Sequence, residues 1–236
     1  MLHSLLNRHS FTMAFRKNNP LGPISGKIGN TVSRMRYGNE VVYTKPGSYN
    51  ISYSDSAVSG RSKFAVTVKL AKLINSVPEL AEVWKVAKLP GANSYQKLIK
   101  HNTKLVSALG LTLKNIITPS GIGSFQNSLT WNGNKIVLKT QIAASIQNNP
   151  ESFFALIYLK NEKENNTLML TSKDVVLCEN NFLEGAVVLS NDEIKIVRQF
   201  KKAVILCAFT FRQIGKPSTH WTSTLSFEVD LTALPI

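Results

Sequence analysis

From Asn115 onward the apolar residues come in short, β-prone runs broken by polar turns, and this texture constrains the fold more than any single motif. The runs are Phe125–Thr140, Phe153–Lys160, Thr167–Thr171, Asp174–Cys178, Glu184–Ser190, Glu193–Val197, Ala203–Arg212 and Trp221–Leu231. Strand-length runs at that spacing, with no helical period between them, predict an antiparallel, immunoglobulin-like β-sandwich. Asn132-Gly133 is the strongest hairpin signal among them. It groups Phe125, Leu129, Trp131, Ile136 and Leu138 on one face, with Gln126, Ser128, Thr130, Lys135 and Lys139 opposite.

The first half is built differently. Asn18 to Asn30 is rich in Gly, Pro and Asn and reads as a loop or arm. In Thr31–Lys45, Gly38-Asn39 between two alternating runs predicts a hairpin pairing Arg36 with Val41 and Arg34 with Tyr43. One face then carries Val32, Arg34, Arg36, Val41, Tyr43 and Lys45; the other carries Ser33, Met35, Tyr37, Glu40, Val42 and Thr44. Past a Ser/Tyr/Gly-rich connector, Pro46–Gly60, helical spacing appears in Arg61–Ser76, in Glu79–Lys88 after Pro78, and from Ser94 to a stop at Gly110. The third helix sets Tyr95, Leu98, Asn102, Leu105 and Leu109 on one face, and Lys97, Lys100 and Lys104 with His101 on another. That lysine stripe has no carboxylate at i±4 to neutralise it.

Charge follows the same division. Met1–Lys114 holds 17 basic and 4 acidic residues, a net of +13, whereas Asn115–Ile236 holds 11 and 10, a net of +1. The first acid is Glu40. A segregated positive field of this kind attracts polyanions. Lys27, Arg34, Arg36, Tyr43, Lys45, Lys97, Lys100 and Lys104 are the candidate nucleic-acid-binding residues: cations for phosphates and one aromatic for stacking.

Catalytic and metal chemistry find little to work with. His3, His9, His101 and His220 are scattered, and no H-E-x-x-H or C-x-x-C occurs. Gly22–Lys27 imitates a phosphate loop, but the spacing is one short and Ile28 stands where Ser or Thr would bind magnesium. No catalytic residue, metal ligand or cofactor is expected, and the chain reads as no enzyme. Cys178 and Cys207, each in an apolar run, are expected as buried thiols and not as a bridge. No run reaches the roughly 18 apolar residues of a membrane span. Met1–Phe15 has too short an apolar patch for a secretory signal and reads as a leader or arm. Its basic, acid-free composition suits an organellar transit peptide and equally a dispensable leader with a start at Met13, and the compartment stays open with the cytoplasm favoured.

Ile24-Ser-Gly-Lys-Ile-Gly-Asn30, the Gly turn, the Val-Val strand with Lys45-Pro46, and Arg61-Ser-Lys-Phe64 together resemble an uncharacterised Bacteroidota family. In that family a basic GK-x-GN hairpin leads into a short helical region and a C-terminal β-domain. The resemblance covers the first half well and the second only in layout. Ser54–Gly60 replaces the family's Asn-Pro-x-Thr linker, and the Met1–Thr12 leader is atypical. The resemblance implies a fold plan and a bacterial origin; it carries no activity across.

The expected architecture is therefore α+β: 1–17 a leader or arm, 18–114 a basic hairpin with two or three short helices, and 115–236 the antiparallel β-sandwich. The expected role is a non-enzymatic binding protein contacting nucleic acid, a ribonucleoprotein or another polyanion. The alternative is a structural protein that self-associates or docks a protein partner through its β-domain and arm.

Overall fold

The computed structural model describes residues 13–16, 25–36, 38–44, 51–143, 149–162, 164–212 and 220–233. It is α+β with antiparallel sheets and forms two compact units, Met1–Tyr53 and Ser54–Ile236. The boundary thus lies at Tyr53 and not near Asn115. The helices do not form a unit with the hairpin, because their apolar faces are buried on a sheet of the second unit.

The first unit is one sheet. Its strands are β1 (Met13–Arg16), β2 (Gly26–Ile28), β3 (Thr31–Arg36) and β4 (Asn39–Thr44), in the order β1-β4-β3-β2. Two of these replace expected irregular chain: β1 falls in the leader and β2 in the loop. Both are too short to show a period and exist through pairing with their neighbours. The expectations for residues 1–12, for Lys45 and for residues 46–50 lie outside the described residues.

The β3–β4 register differs from the expected one by two. Arg36 pairs with Asn39, Arg34 with Val41 and Val32 with Tyr43, so the turn falls one residue earlier than Gly38-Asn39, with Gly38 at φ 78°. Because alternation has period two, an even shift leaves every described residue on its expected face.

The second unit opens with α1 (Asp55–Asn75), capped by the Ser54 hydroxyl, which accepts from the Ala57 N–H. The expected connector residues Asp55–Gly60 are thus helical; an N-cap Ser followed by Asp outweighs their turn-like composition. Next come α2 (Pro78–Val86), with Pro78 in the first turn, and α3 (Ser94–Asn102), capped by the Asn93 side chain, which accepts from the Gln96 N–H. The third helix stops a full two turns before Gly110. Asn102 ends it by turning its amide to Asn115 and to the backbone of Ile116, and Leu109 emerges 91% exposed instead of packed.

Two sheets follow. One contains β5 (Ser124–Asn132), β6 (Lys135–Ile142), β10 (Phe182–Val188) and β9 (Val175–Leu177), in that order. The other runs β12 (His220–Trp221), β11 (Lys202–Arg212), β7 (Asn149–Lys160), β8 (Asn165–Ser172), with β13 (Leu225–Asp230) also paired to β11. The central strands β7 and β11 are buried on both sides. Odd positions Phe153, Ala155, Ile157, Leu159, Ile205, Cys207 and Phe209 meet Trp131, Ile136, Leu138, Leu183 and Val187 of the other sheet. Even positions Phe154, Leu156, Tyr158, Val204, Leu206 and Ala208 meet Leu70, Ile74, Leu80, Trp84 and Leu98 of the helices. The layers are therefore helices, sheet, sheet.

Other expectations fail locally. Phe125 is 58% exposed, because a bulge at Gln126-Asn127 shifts the β5–β6 register by one and turns it to the outer face. Glu193–Val197 is not a strand but part of α4 (Asn191–Val197). A capping box starts it: the Ser190 hydroxyl accepts from the Glu193 N–H, and Glu193 accepts from the Ser190 N–H. Both cysteines are free, but Cys178 is exposed and only Cys207 is buried.

Candidate polyanion-binding face

β2 carries Lys27 opposite Val32, and Val32 stands opposite Tyr43. Directly opposite residues share a face, so Lys27, Val32, Arg34, Arg36, Val41 and Tyr43 lie on one side of the first sheet. Lys27, Arg34 and Arg36 are exposed, Tyr43 is half-buried, and Val41 is buried. The Arg34 guanidinium carbon stands 5.3 Å from the Tyr43 ring centroid, an Arg–Tyr stack of the cation–π kind.

The electrostatics of this unit turn on Glu40. Residues 1–53 contain seven Lys and Arg and this single carboxylate. Glu40 is 5% exposed, lies on the opposite face, and accepts from the Ser33 hydroxyl at 2.7 Å. Among the described residues, the basic face therefore carries no carboxylate. Cations gathered on one exposed face attract phosphates, whose binding releases counterions.

Of the expected residues, this sheet brings together Lys27, Arg34, Arg36 and Tyr43; Lys45 lies outside the described residues. The sequence reading lacked β2, although Gly29-Asn30 between Lys27-Ile28 and Thr31-Val32 is itself a turn signal, with Gly29 at φ 57°.

In the second unit the lysine stripe breaks up. Lys97 is 8% exposed, and its ammonium donates to the carbonyls of Lys85 and Ala87 at 2.8 and 2.7 Å. It serves the C-terminal end of α2, where the carbonyls lack helical partners and the helix dipole favours a cation. It is therefore withdrawn from the candidate surface. Lys100 is exposed on the last turn of α3, whereas Lys104 is exposed in the turn beyond it.

The pKa shifts do not assemble a reacting group. Burial pushes the Cys207 thiol far up, and burial likewise raises Tyr158, whose hydroxyl donates to the Leu109 carbonyl. Among the described residues, no group of three His, Cys, Asp or Glu stands close enough to hold a metal ion, and no helix is long and apolar enough to cross a membrane.

No protein-family model matches the chain, and no curated protein does. Solved structures include a DUF3823 family protein from Bacteroides ovatus at 17% identity and a TM-score of 0.30. The match covers 47% of this chain and 55% of that one, a likeness too slight to carry fold or function across.

Proposed function

We propose that this is a non-enzymatic binding protein whose N-terminal sheet contacts the phosphates of a nucleic acid or ribonucleoprotein. The supporting observation is the sorting of charge in 1–53: Lys27, Arg34 and Arg36 exposed on one face around Tyr43, and the lone carboxylate buried on the other. Phosphate contacts need no base reading, which suits a face that joins cations to a stacking ring. On this reading the two sheets of the second unit constitute an immunoglobulin-like sandwich, with the helices as an added layer. Two antiparallel sheets sharing one core support that reading. Membership of the GK-x-GN family likewise rests on the hairpin residues.

The test is binding to labelled single- and double-stranded nucleic acid across a salt series. Lys27→Gln/Arg34→Gln/Arg36→Gln should lower the magnitude of the log–log salt slope by roughly 2 to 3 units. Thermal stability should stay nearly unchanged. A wild-type protein that does not bind at low salt would overturn the proposal.

A further inference from the structure

β8 is an edge strand unlike the others in this unit. β9 and β12 span three and two residues, β5 is bulged, and β13 carries Glu228 and Asp230. Short length, bulges and charge are the devices that keep sheet edges from pairing with another chain. β8 has eight residues, Asn165–Ser172, with no charge, no proline and an unbroken register to β7. Among the described residues, no strand pairs with its outer side.

The sequence of this strand reads nearly the same in both directions: Asn166-Thr167-Leu168-Met169-Leu170-Thr171-Ser172. Met169 is its centre. We propose that β8 pairs with β8 of a second copy of this chain, antiparallel and two-fold symmetric about Met169. Leu168 then faces Leu170 of the second copy, Thr167 faces Thr171, and Asn166 faces Ser172. Opposed strands present like against like only when the sequence is symmetric about the axis, and this one meets that condition without opposing like charges.

Backbone geometry suits the pairing. The Thr167 N–H is taken by its neighbour's Asn166 Oδ1 at 2.7 Å, so residues 167, 169 and 171 turn their backbone groups away from β7. Under the proposed axis these same residues meet as 169 with 169 and 167 with 171, each exchanging N–H···O=C bonds. The Asn166 side chain must release the Thr167 N–H. Leu168 already packs against the sheet–sheet core and Met169 against the helix–sheet core, so pairing extends both cores across the axis. One strand pair buries less than the roughly 1,600 Å² of a standard interface, so association in the micromolar range is expected. The proposal stands independently of polyanion binding.

Sedimentation of the full chain over a concentration series tests it. A monomer–dimer equilibrium is expected for the wild type. Thr167→Lys/Thr171→Lys opposes Lys to Lys at both flanking pairs and should raise the dissociation constant about tenfold or more. Thr167→Lys/Thr171→Glu opposes Lys to Glu at both and should retain the dimer. If the double-lysine variant loses its circular dichroism, Thr171→Pro, which removes one outward N–H from an edge position, carries the same decision. A wild type monomeric up to its solubility limit overturns the proposal, as does a dimer unaffected by these changes.

Discussion

Arg34 covers Tyr43 without standing opposite it: Arg34 pairs with Val41 and Tyr43 with Val32, and the 5.3 Å contact runs along the diagonal of the ladder. Diagonal neighbours remain within reach of long and aromatic side chains. The stack fixes a cation against an aromatic ring of the basic face. Tyr43→Leu should therefore weaken single-stranded nucleic-acid binding by about tenfold or more, the scale of one lost base stack. Double-stranded binding should change little. Anisotropy titrations of both ligands at one salt concentration check this, and equal losses would make Tyr43 a packing residue.

Lys97 should behave as part of the fold. Lys97→Met keeps the stem but leaves the carbonyls of Lys85 and Ala87 without their charged donor. The expected loss is about 1.5–3 kcal/mol in urea unfolding. Lys100→Gln, on the exposed side of the same helix, should stay within about 0.5 kcal/mol. A neutral Lys97→Met would refute the capping role.

Gly185 faces the Phe153–Phe209 stack, whose ring centroids are 4.9 Å apart. A Cβ there would come within 2.5 Å of Phe209 and 2.7 Å of Phe153. Gly185→Ala should destabilise by about 1–3 kcal/mol through overpacking. Gly60→Ala, in the interior of α1 with nothing within 4 Å, should instead stabilise by about 0.5–1 kcal/mol. Paired thermal melts measure both signs.

The two thiols should separate in reactivity. Cys207 is fully buried and its thiol is pushed far above the ordinary value, whereas Cys178 is exposed. A thiol reagent at pH 8 should modify Cys178 quickly in the native protein and reach Cys207 only on unfolding. Equal rates would mean that the sheet–sheet core opens readily.

Acid should weaken the contact between β8's end and α2. Burial tends to raise the Glu79 carboxyl, but its backbone hydrogen bond and Lys173, at 3.1 Å, outweigh this and leave it below its ordinary value. A depressed carboxyl stabilises the fold above the ordinary value of 4.5 and loses that contribution as pH falls through the lower folded value. Lys173→Met should thus cost stability at pH 7 and much less at pH 3, measured by denaturant unfolding. A pH-independent cost would assign the effect to the Lys173 bond with Ser152 at 2.7 Å.

Much of the local pattern was legible because alternation survives errors in turn placement. Gly38-Asn39 was the expected turn and the actual one falls a residue earlier, yet Arg34, Arg36, Val41 and Tyr43 kept their shared face. The β5–β6 turn likewise lies at Gly133-Asn134, one residue beyond the expected place, and Leu129, Trp131, Ile136 and Leu138 still face together. Phe125 escaped the pattern because a bulge shifts the register by one, and no periodicity announces where an extra residue will be placed. Ser190-x-x-Glu193 was a readable helix start that the β-prone run after it concealed.

The sequence by itself determined the alternation along most strands, the segregation of charge, and that the second half folds largely through antiparallel pairing, since these depend on local period and composition. Only the tertiary structure decided that the helices belong with the β-strands. Phe153–Leu159 and Ala203–Phe209 are apolar at consecutive positions, and a strand buried on both faces requires a second layer that nothing within the strand identifies. It likewise decided the fate of Lys97: a lysine at stripe spacing becomes a buried donor only because α2 ends within reach of its ammonium.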